Sequence, residues 1–290
     1  MSSGQHGRRL DHVWDRSGPL FTPRTPRVVA ARRLQRRRDR DSTRRFLAEG
    51  PQAVREALAA PGVVLELFGT PAALDRYGDV AAAAGHEGVP VSPVTDEGLA
   101  ALTETVAPQG LVAVCRQLDM PLARALDRSP RLAAVLAEIR DPGNAGTVLR
   151  TADAAGAGAV VLAGEAVDPY NGKCVRASAG SLFHVDLVRA GDPGPVVDAL
   201  RAAGLTVLAA TGYGETDLDD LADAGALARP TAWLFGSEAH GLPPALADAA
   251  DDRVRVPLHG RAESLNLAAA AAVCLYASAR AQRSRAEPSP

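Results

Sequence analysis

Aromatic residues are scarce in this chain, 4% of 290 residues, so a core has to be assembled from Ala, Val and Leu, with helices that approach each other closely. Cysteine is also scarce. Cys115, Cys174 and Cys274 lie far apart with no CxxC pair, which argues against a disulfide framework and a thiolate zinc site. The six histidines show no HxxxH or related ligand spacing, so no metal is expected. No run of eighteen apolar residues exists to span a bilayer, and the N-terminus carries charges where a signal peptide needs an apolar stretch. The expectation is a soluble, cytoplasmic protein with no membrane partner. Lysine is almost missing too: Lys173 is the one lysine among 32 basic side chains.

What is present is a chain with 47% apolar residues and a net charge of −2, long enough to bury a sizeable core and to form two compact units. The small net charge conceals an asymmetry. Residues 1–45 hold thirteen Arg, no Lys and four Asp, so a basic N-terminal arm precedes an acidic remainder. Two readings of the arm stand: a solvated tail, or a contact with phosphate, for which arginine forks are suited.

Residues 1–25 mix Gly, Ser, Arg and Pro without periodicity and read as a disordered basic tail. From Pro26 a helical pattern (Val28, Val29, Leu34) runs into a short apolar FLAEG. PQAVREALAAPG follows as a second helix, with Pro51 in its first turn and Gly62 after its end. VVLELFG (63–69), VPVSPV (89–94) and LVAVCRQL (111–118) read as strands, with PAALDRYGDVAAAAG and TDEGLAALT as helices between them. This predicts a small α/β domain over 26–118 and a linker over 119–130. The texture then changes to apolar runs alternating with helical segments over 131–284, ahead of a tail at 285–290. Candidate strands are AAVLAEI (133–139), AVVLAG (159–164), FHVDLV (183–188), TVLAAT (206–211), TAWLFG (231–236) and DRVRVPL (252–258). Such alternation predicts an α/β fold with a mainly parallel sheet and helices on both faces. Ligands bind such sheets beyond the carboxyl ends of the strands.

Three of these strand ends carry polar residues that packing does not require. After the first, Pro142 and Gly143 force a turn, Asn144 is placed to cap a helix, and Arg150 lies about two turns along. After the fifth, Gly236 permits close backbone approach and Glu238 sits in a loop; after the sixth, Ser264 and Asn266 open an Ala-rich helix. One crevice could collect Asn144, Arg150, Glu238, Ser264 and Asn266. Each also has an ordinary reading: Asn144 and Ser264 as helix caps, Arg150 as a solvated helix residue, Glu238 as a surface acid beside His240. The Ala-rich helix, from Leu265 to about Gln282, fits a buried core helix or a dimer interface equally well.

The strings NAGTVLRTADAAGA, FGSEAHGL and PLHGRAESLNLAAAAA, in this order, resemble the three motifs of the SpoU, or TrmH, family of RNA 2′-O-ribose methyltransferases, within the SPOUT superfamily. The first domain, with RFLAEGPQAVREAL near its start, is similar to the small ribosomal-protein-like substrate-binding domain of many relatives. The resemblance implies a C-terminal trefoil knot, a homodimer and S-adenosylmethionine as cofactor, none of which periodicity could show, since topology rules disfavour knots. It implies an RNA partner, large-subunit rRNA first and tRNA second. By the same resemblance Asn144 and Arg150 are the first motif's catalytic pair, Glu238 the second motif's acid, and Ser264 and Asn266 the third motif's polar residues. Thr211, Gly236, Leu258 and Leu267 would cradle the cofactor. Leu267 stands where Val or Ile is common, and Ala268 or Ala269 where Ser is frequent; neither change removes a functional group.

The chemistry needs the ribose 2′-oxygen in line with the sulfonium methyl, so positioning supplies much of the rate. A guanidinium is not deprotonated in proteins, so Arg150 is expected as a fixed charge at the developing alkoxide, with Asn144 and Glu238 holding its other donors. The base is left open. The competing functions are a catalytically silent RNA-binding scaffold and a base-modifying relative. A nicotinamide-binding enzyme is disfavoured, because GAGAVV at 156–161 lacks the third glycine of the dinucleotide fingerprint.

Overall fold

Alternation of apolar residues organises the first sheet. In a computed structural model, which describes Trp14 and residues 17–284, the chain divides into two units at Arg116/Gln117. The first holds strands β1 (Arg45–Glu49), β2 (Val64–Gly69), β3 (Val91–Pro93) and β4 (Leu111–Arg116), in the order β1-β4-β2-β3. Strand β4 runs antiparallel to both β1 and β2, while β3 is parallel to β2. Phe46, Leu67, Phe68 and Val112 are fully buried on these strands.

The segment expected to be one helical pattern is two helices, Pro26–Arg33 and Arg37–Thr43, followed by β1. Arg44 breaks the run by adopting a left-handed φ of 55°, and the burial of Phe46 and Ala48 on alternate positions then commits RFLAE to a strand. The basic segment is accordingly no free arm beyond this point. Arg40 is buried, and its Nη1 donates to the carbonyls of Leu34 and Gln35, each at 2.9 Å. Order also begins before residue 26: the Phe21 N–H donates to the Pro93 carbonyl at 2.8 Å, and the Thr95 N–H to the Phe21 carbonyl at 2.9 Å. Gly98 allows this approach, since a Cβ there would lie 2.6 Å from the Phe21 oxygen. The rest of the expected tails, residues 1–13, 15–16 and 285–290, lies outside the described residues.

The second unit is built on strands β5 (Leu132–Ala137), β6 (Ala159–Ala163), β7 (Asp186–Ala190), β8 (Thr206–Ala210), β9 (Thr216–Asp217), β10 (Thr231–Phe235) and β11 (Asp252–Arg255). Their order is β7-β6-β5-β10-β8-β11-β9, with every pairing parallel. Every residue of β5, β6 and β10 is buried, as a parallel sheet covered on both faces requires. Fully burying one Val or Leu side chain contributes about 1.5–3 kcal/mol, so Val135, Leu136, Val161 and Leu234 weigh heavily in this core.

Two expectations shift here. The strand expected at 183–188 begins three residues later, at Asp186, and ends at Ala190, because a 3-10 turn at Ser181–Phe183 precedes it. The stretch expected as a linker carries a helix, Leu122–Leu126, with Ala125 fully buried, and the Met120 N–H donates to the Leu187 carbonyl at 2.9 Å.

Candidate active site

Four central strands, β5, β10, β8 and β11, deliver four loops to one end of the sheet. After β5, Asp141 N-caps the helix Pro142–Ala155: its Oδ1 accepts the Asn144 N–H at 2.8 Å, Pro142 fills the first helical position, and Gly156 closes the helix with φ 81°. Asp141 is therefore the cap, and Asn144, two residues inside the helix from Pro142, keeps its side chain free for other work. Lys173 Nζ holds the other carboxylate oxygen of Asp141 at 2.8 Å. The Lys173 ammonium first, and the Asn144 N–H second, keep the Asp141 carboxyl below its ordinary range.

After β10, residues 237–241 form a tight loop in which Ser237 and Gly241 exchange backbone hydrogen bonds at 3.0 and 2.8 Å. Gly236 is obligatory there, because a Cβ would sit 2.1 Å from the Gly241 carbonyl carbon. After β8, residues 211–215 cross the end of β11, which lies between β8 and β9 in the sheet. The crossing is close: a Cβ on Gly214 would meet the Arg253 carbonyl oxygen at 2.5 Å, and Arg255 Nη1 donates to the Gly214 and Glu215 carbonyls at 3.0 and 3.2 Å. After β11, residues 256–266 lead into the helix Leu267–Ser284, which Asn266 caps by accepting the Ala268 N–H at 2.9 Å.

The loops bring the sequence-predicted residues together. Asn144 Nδ2 donates to Glu238 Oε1 at 2.6 Å, and Asn266 Nδ2 donates to Asn144 Oδ1 at 3.3 Å. Three residues from three strand ends thus form one hydrogen-bonded wall. Beside it lies a cavity of about 390 Å³ whose lining includes Glu238, Ser264, Asn266, Thr211, Gly236, Leu258 and Leu267. That volume is within the ~300–1,000 Å³ typical of small-molecule sites. Arg150 is the exception. It is exposed on the same helix, outside the cavity lining, and its guanidinium has no hydrogen-bonding or ionic partner among the described residues. Asn144 and Glu238 bind each other and not Arg150, contrary to expectation, because Arg150 lies a turn and a half further along the helix.

The lining suits an adenosine-containing cofactor. Leu242, Val254, Leu258 and Leu267 give it an apolar floor, and Thr211 Oγ1 is buried without a hydrogen-bond partner among the described residues, which a ligand donor or acceptor would satisfy. Asp141 and Lys173 went unnoticed in the sequence as parts of this site. Lys173 stood out only as the single lysine, and Asp141 only by standing before a Pro-Gly turn.

Residues 131–276 match the SpoU rRNA Methylase family and residues 25–113 the MRM3-like substrate binding domain. The chain is 35% identical over 262 residues to the Bacillus subtilis 23S rRNA (guanosine(2553)-2′-O)-methyltransferase RlmP, covering 89% of this chain and 97% of that protein. Among solved structures it is similar to the AdoMet-bound rRNA methyltransferase from Sinorhizobium meliloti, with TM-score 0.77, 34% identity and coverage of 90% of this chain and 97% of the other. The SpoU methyltransferase AviRb from Streptomyces viridochromogenes in complex with AdoMet gives TM-score 0.79 at 31% identity, with 90% and 99% covered. The chain belongs to the SpoU rRNA methylase family.

Proposed function

We propose that this protein transfers a methyl group from S-adenosylmethionine to a ribose 2′-hydroxyl of large-subunit rRNA. The observation that carries the reading is the wall of Asn144, Glu238 and Asn266 beside the cavity, in a chain whose relative RlmP is named for 23S rRNA 2′-O-methylation. Bound in the cavity, the cofactor supplies an electrophilic methyl group. Thr211, Gly236, Leu258 and Leu267 hold its adenosine and methionine parts, and exclusion of water by the apolar floor strengthens every polar contact inside. Asn144, oriented from both ends of its amide, presents a fixed polar edge to the ribose. Arg150, whose five N–H donors have no partner among the described residues, grips the phosphate beside the target and stabilises the developing alkoxide. Ser264 and Asn266 shape the rim where ribose meets cofactor.

Three further features belong to this reading. The close crossing of residues 211–215 over the end of β11, with Gly214 against the Arg253 carbonyl and Arg255 bound to the Gly214 and Glu215 carbonyls, supports a trefoil knot. Exposure of Val273 and Tyr276 on the outer face of the helix Leu267–Ser284 supports a homodimer through that face, with Ala271, Cys274 and Ser278 buried on the other. The match of residues 25–113 to a substrate-binding domain supports RNA recognition by the first unit. The site of action is the cytoplasm, where ribosomal RNA is found in bacteria.

The test is to map ribose 2′-O-methyl groups in total RNA from cells with and without the gene, and then to restore the site in vitro with purified protein. One methyl group in 23S-type rRNA that depends on the gene is expected. The absence of any gene-dependent ribose methyl group in rRNA overturns the reading.

A further inference from the structure

Every basic side chain of this protein but one is arginine, and the exception lies against the start of the Asn144 helix. Lys173 Nζ donates to Asp141 Oδ2, and Asp141 Oδ1 accepts the Asn144 N–H, both at 2.8 Å. The Asn144 side chain then spans Glu238 and Asn266. The connection from Lys173 to the wall of the site is unbroken.

Stability does not account for this lysine. Its side chain and that of Asp141 are 57% and 42% exposed, and ion pairs in that range contribute little. Lys173 also stands in the first turn of its own helix, Gly172–Ser178, where the helix dipole disfavours a cation. Gly143 shows why the residue is compact. A Cβ at Gly143 would lie 2.8 Å from Asp141 Oδ1, 3.1 Å from Lys173 Cε and 3.3 Å from Nζ, so lysine occupies the space that a side chain at 143 would need.

We propose that Lys173 is a positioning residue for methyl transfer: its ammonium fixes the Asp141 carboxylate, and through it the Asn144 amide that meets Glu238 and Asn266. This rests on the reading above, in which that wall faces the reacting ribose.

The experiment replaces the ammonium and then restores it. Lys173→Cys is aminoethylated with 2-bromoethylamine, which rebuilds a lysine-like side chain, or carbamidomethylated with iodoacetamide as a neutral control. The native thiols do not compete, since burial leaves Cys115, Cys174 and Cys274 inaccessible and pushes the last two up to about 12. Two readouts are taken on the full-length protein: steady-state methylation of rRNA, and amide hydrogen exchange over residues 142–146, which needs no RNA. Lys173→Cys is expected to lower kcat about tenfold or more, as misplacement of a reacting group does, with cofactor affinity and the KM for RNA nearly unchanged. Its Asn144 amide is expected to exchange faster. Aminoethylation restores both readouts and the neutral cap restores neither. Full kcat in Lys173→Cys, rescue by the neutral cap, a defect confined to the KM for RNA, or unchanged exchange overturns the proposal. A wild-type protein without methylation activity would instead overturn the functional reading, while the exchange measurement still judges the clamp.

Discussion

Arg150 and Asn144 share one helix, yet their surroundings assign them different work. Asn144 is held at both ends of its amide, whereas Arg150 is exposed and has no partner among the described residues. Arg150→Ala therefore removes nothing the fold depends on. The variant is expected to keep the wild-type melting temperature and cofactor affinity and to lose at least about a hundredfold in methyl transfer, the scale of losing a preorganised charged donor; calorimetric cofactor binding and a turnover assay check this, and retained turnover counts against Arg150. Gly236 represents the opposite case. The loop cannot close over a Cβ placed 2.1 Å from the Gly241 carbonyl carbon, so Gly236→Ala must push the backbone of 237–241 outward and take Glu238 with it. A folded protein with at least tenfold weaker cofactor binding is expected in a titration. Asp141 gives the pH dependence. Its folded-state carboxyl lies below the ordinary range, so its contribution to stability is present above the unfolded value of about 3.9 and is lost as pH falls through the lowered folded value. At neutral pH the cap is constant. Asp141→Ala is expected to lower stability by about 1 kcal/mol there, and the gap from wild type should narrow as pH falls below the unfolded carboxyl value, as denaturant melts at pH 7 and in acid would reveal.

At the scale of elements, the central strands were legible because a parallel sheet covered on both faces must be written as continuous apolar runs, as in LAAVLA and TAWLF. The start of strand β1 was not, since it is set by a left-handed arginine, Arg44, that carries no glycine or proline signal. Two-residue β9 is too short for any pattern. The candidate site was legible as three strings, but Lys173 lies 32 residues from Asp141 and only the fold brings them together. Similarly, nothing local pairs Trp233 on β10 with Ser278 on the last helix. The indole Nε1–H donates to Ser278 Oγ at 2.9 Å, and both side chains are fully buried. Ser278→Ala would leave that donor without a partner in a dry core. A loss of about 1–3 kcal/mol is expected in denaturant unfolding, more than a buried Ser→Ala costs where no donor is orphaned; a change below 0.5 kcal/mol, measured with ~0.3 kcal/mol precision, would mean that water replaces the hydroxyl.

For the whole molecule, the division at Arg116/Gln117 separates two cores. One cluster joins Val28, Phe68, Val94 and Val112 in the first unit, while the cluster of Val135, Val161, Val197, Val207 and Leu234 belongs wholly to the second. Every residue that lines the cavity, from Ala210 to Ala270, also belongs to the second unit, as do Asn144, Arg150, Asp141 and Lys173. The apolar outer face of the helix Leu267–Ser284 is retained with it. A fragment spanning residues 117–290 thus contains a complete core, the cavity and the exposed Val273 and Tyr276, and lacks the segment that matches a substrate-binding domain. It should fold cooperatively, bind S-adenosylmethionine within a few-fold of the full-length affinity, and sediment as a dimer. Methylation of rRNA should fall through the KM for RNA, because positioning at the site is intact while the phosphate contacts that add affinity without reading sequence are gone. Equal rRNA methylation by fragment and full-length protein would remove the first unit from substrate recognition, and a fragment that folds without binding the cofactor would move part of the cofactor site out of the cavity lined by Thr211, Gly236 and Leu267.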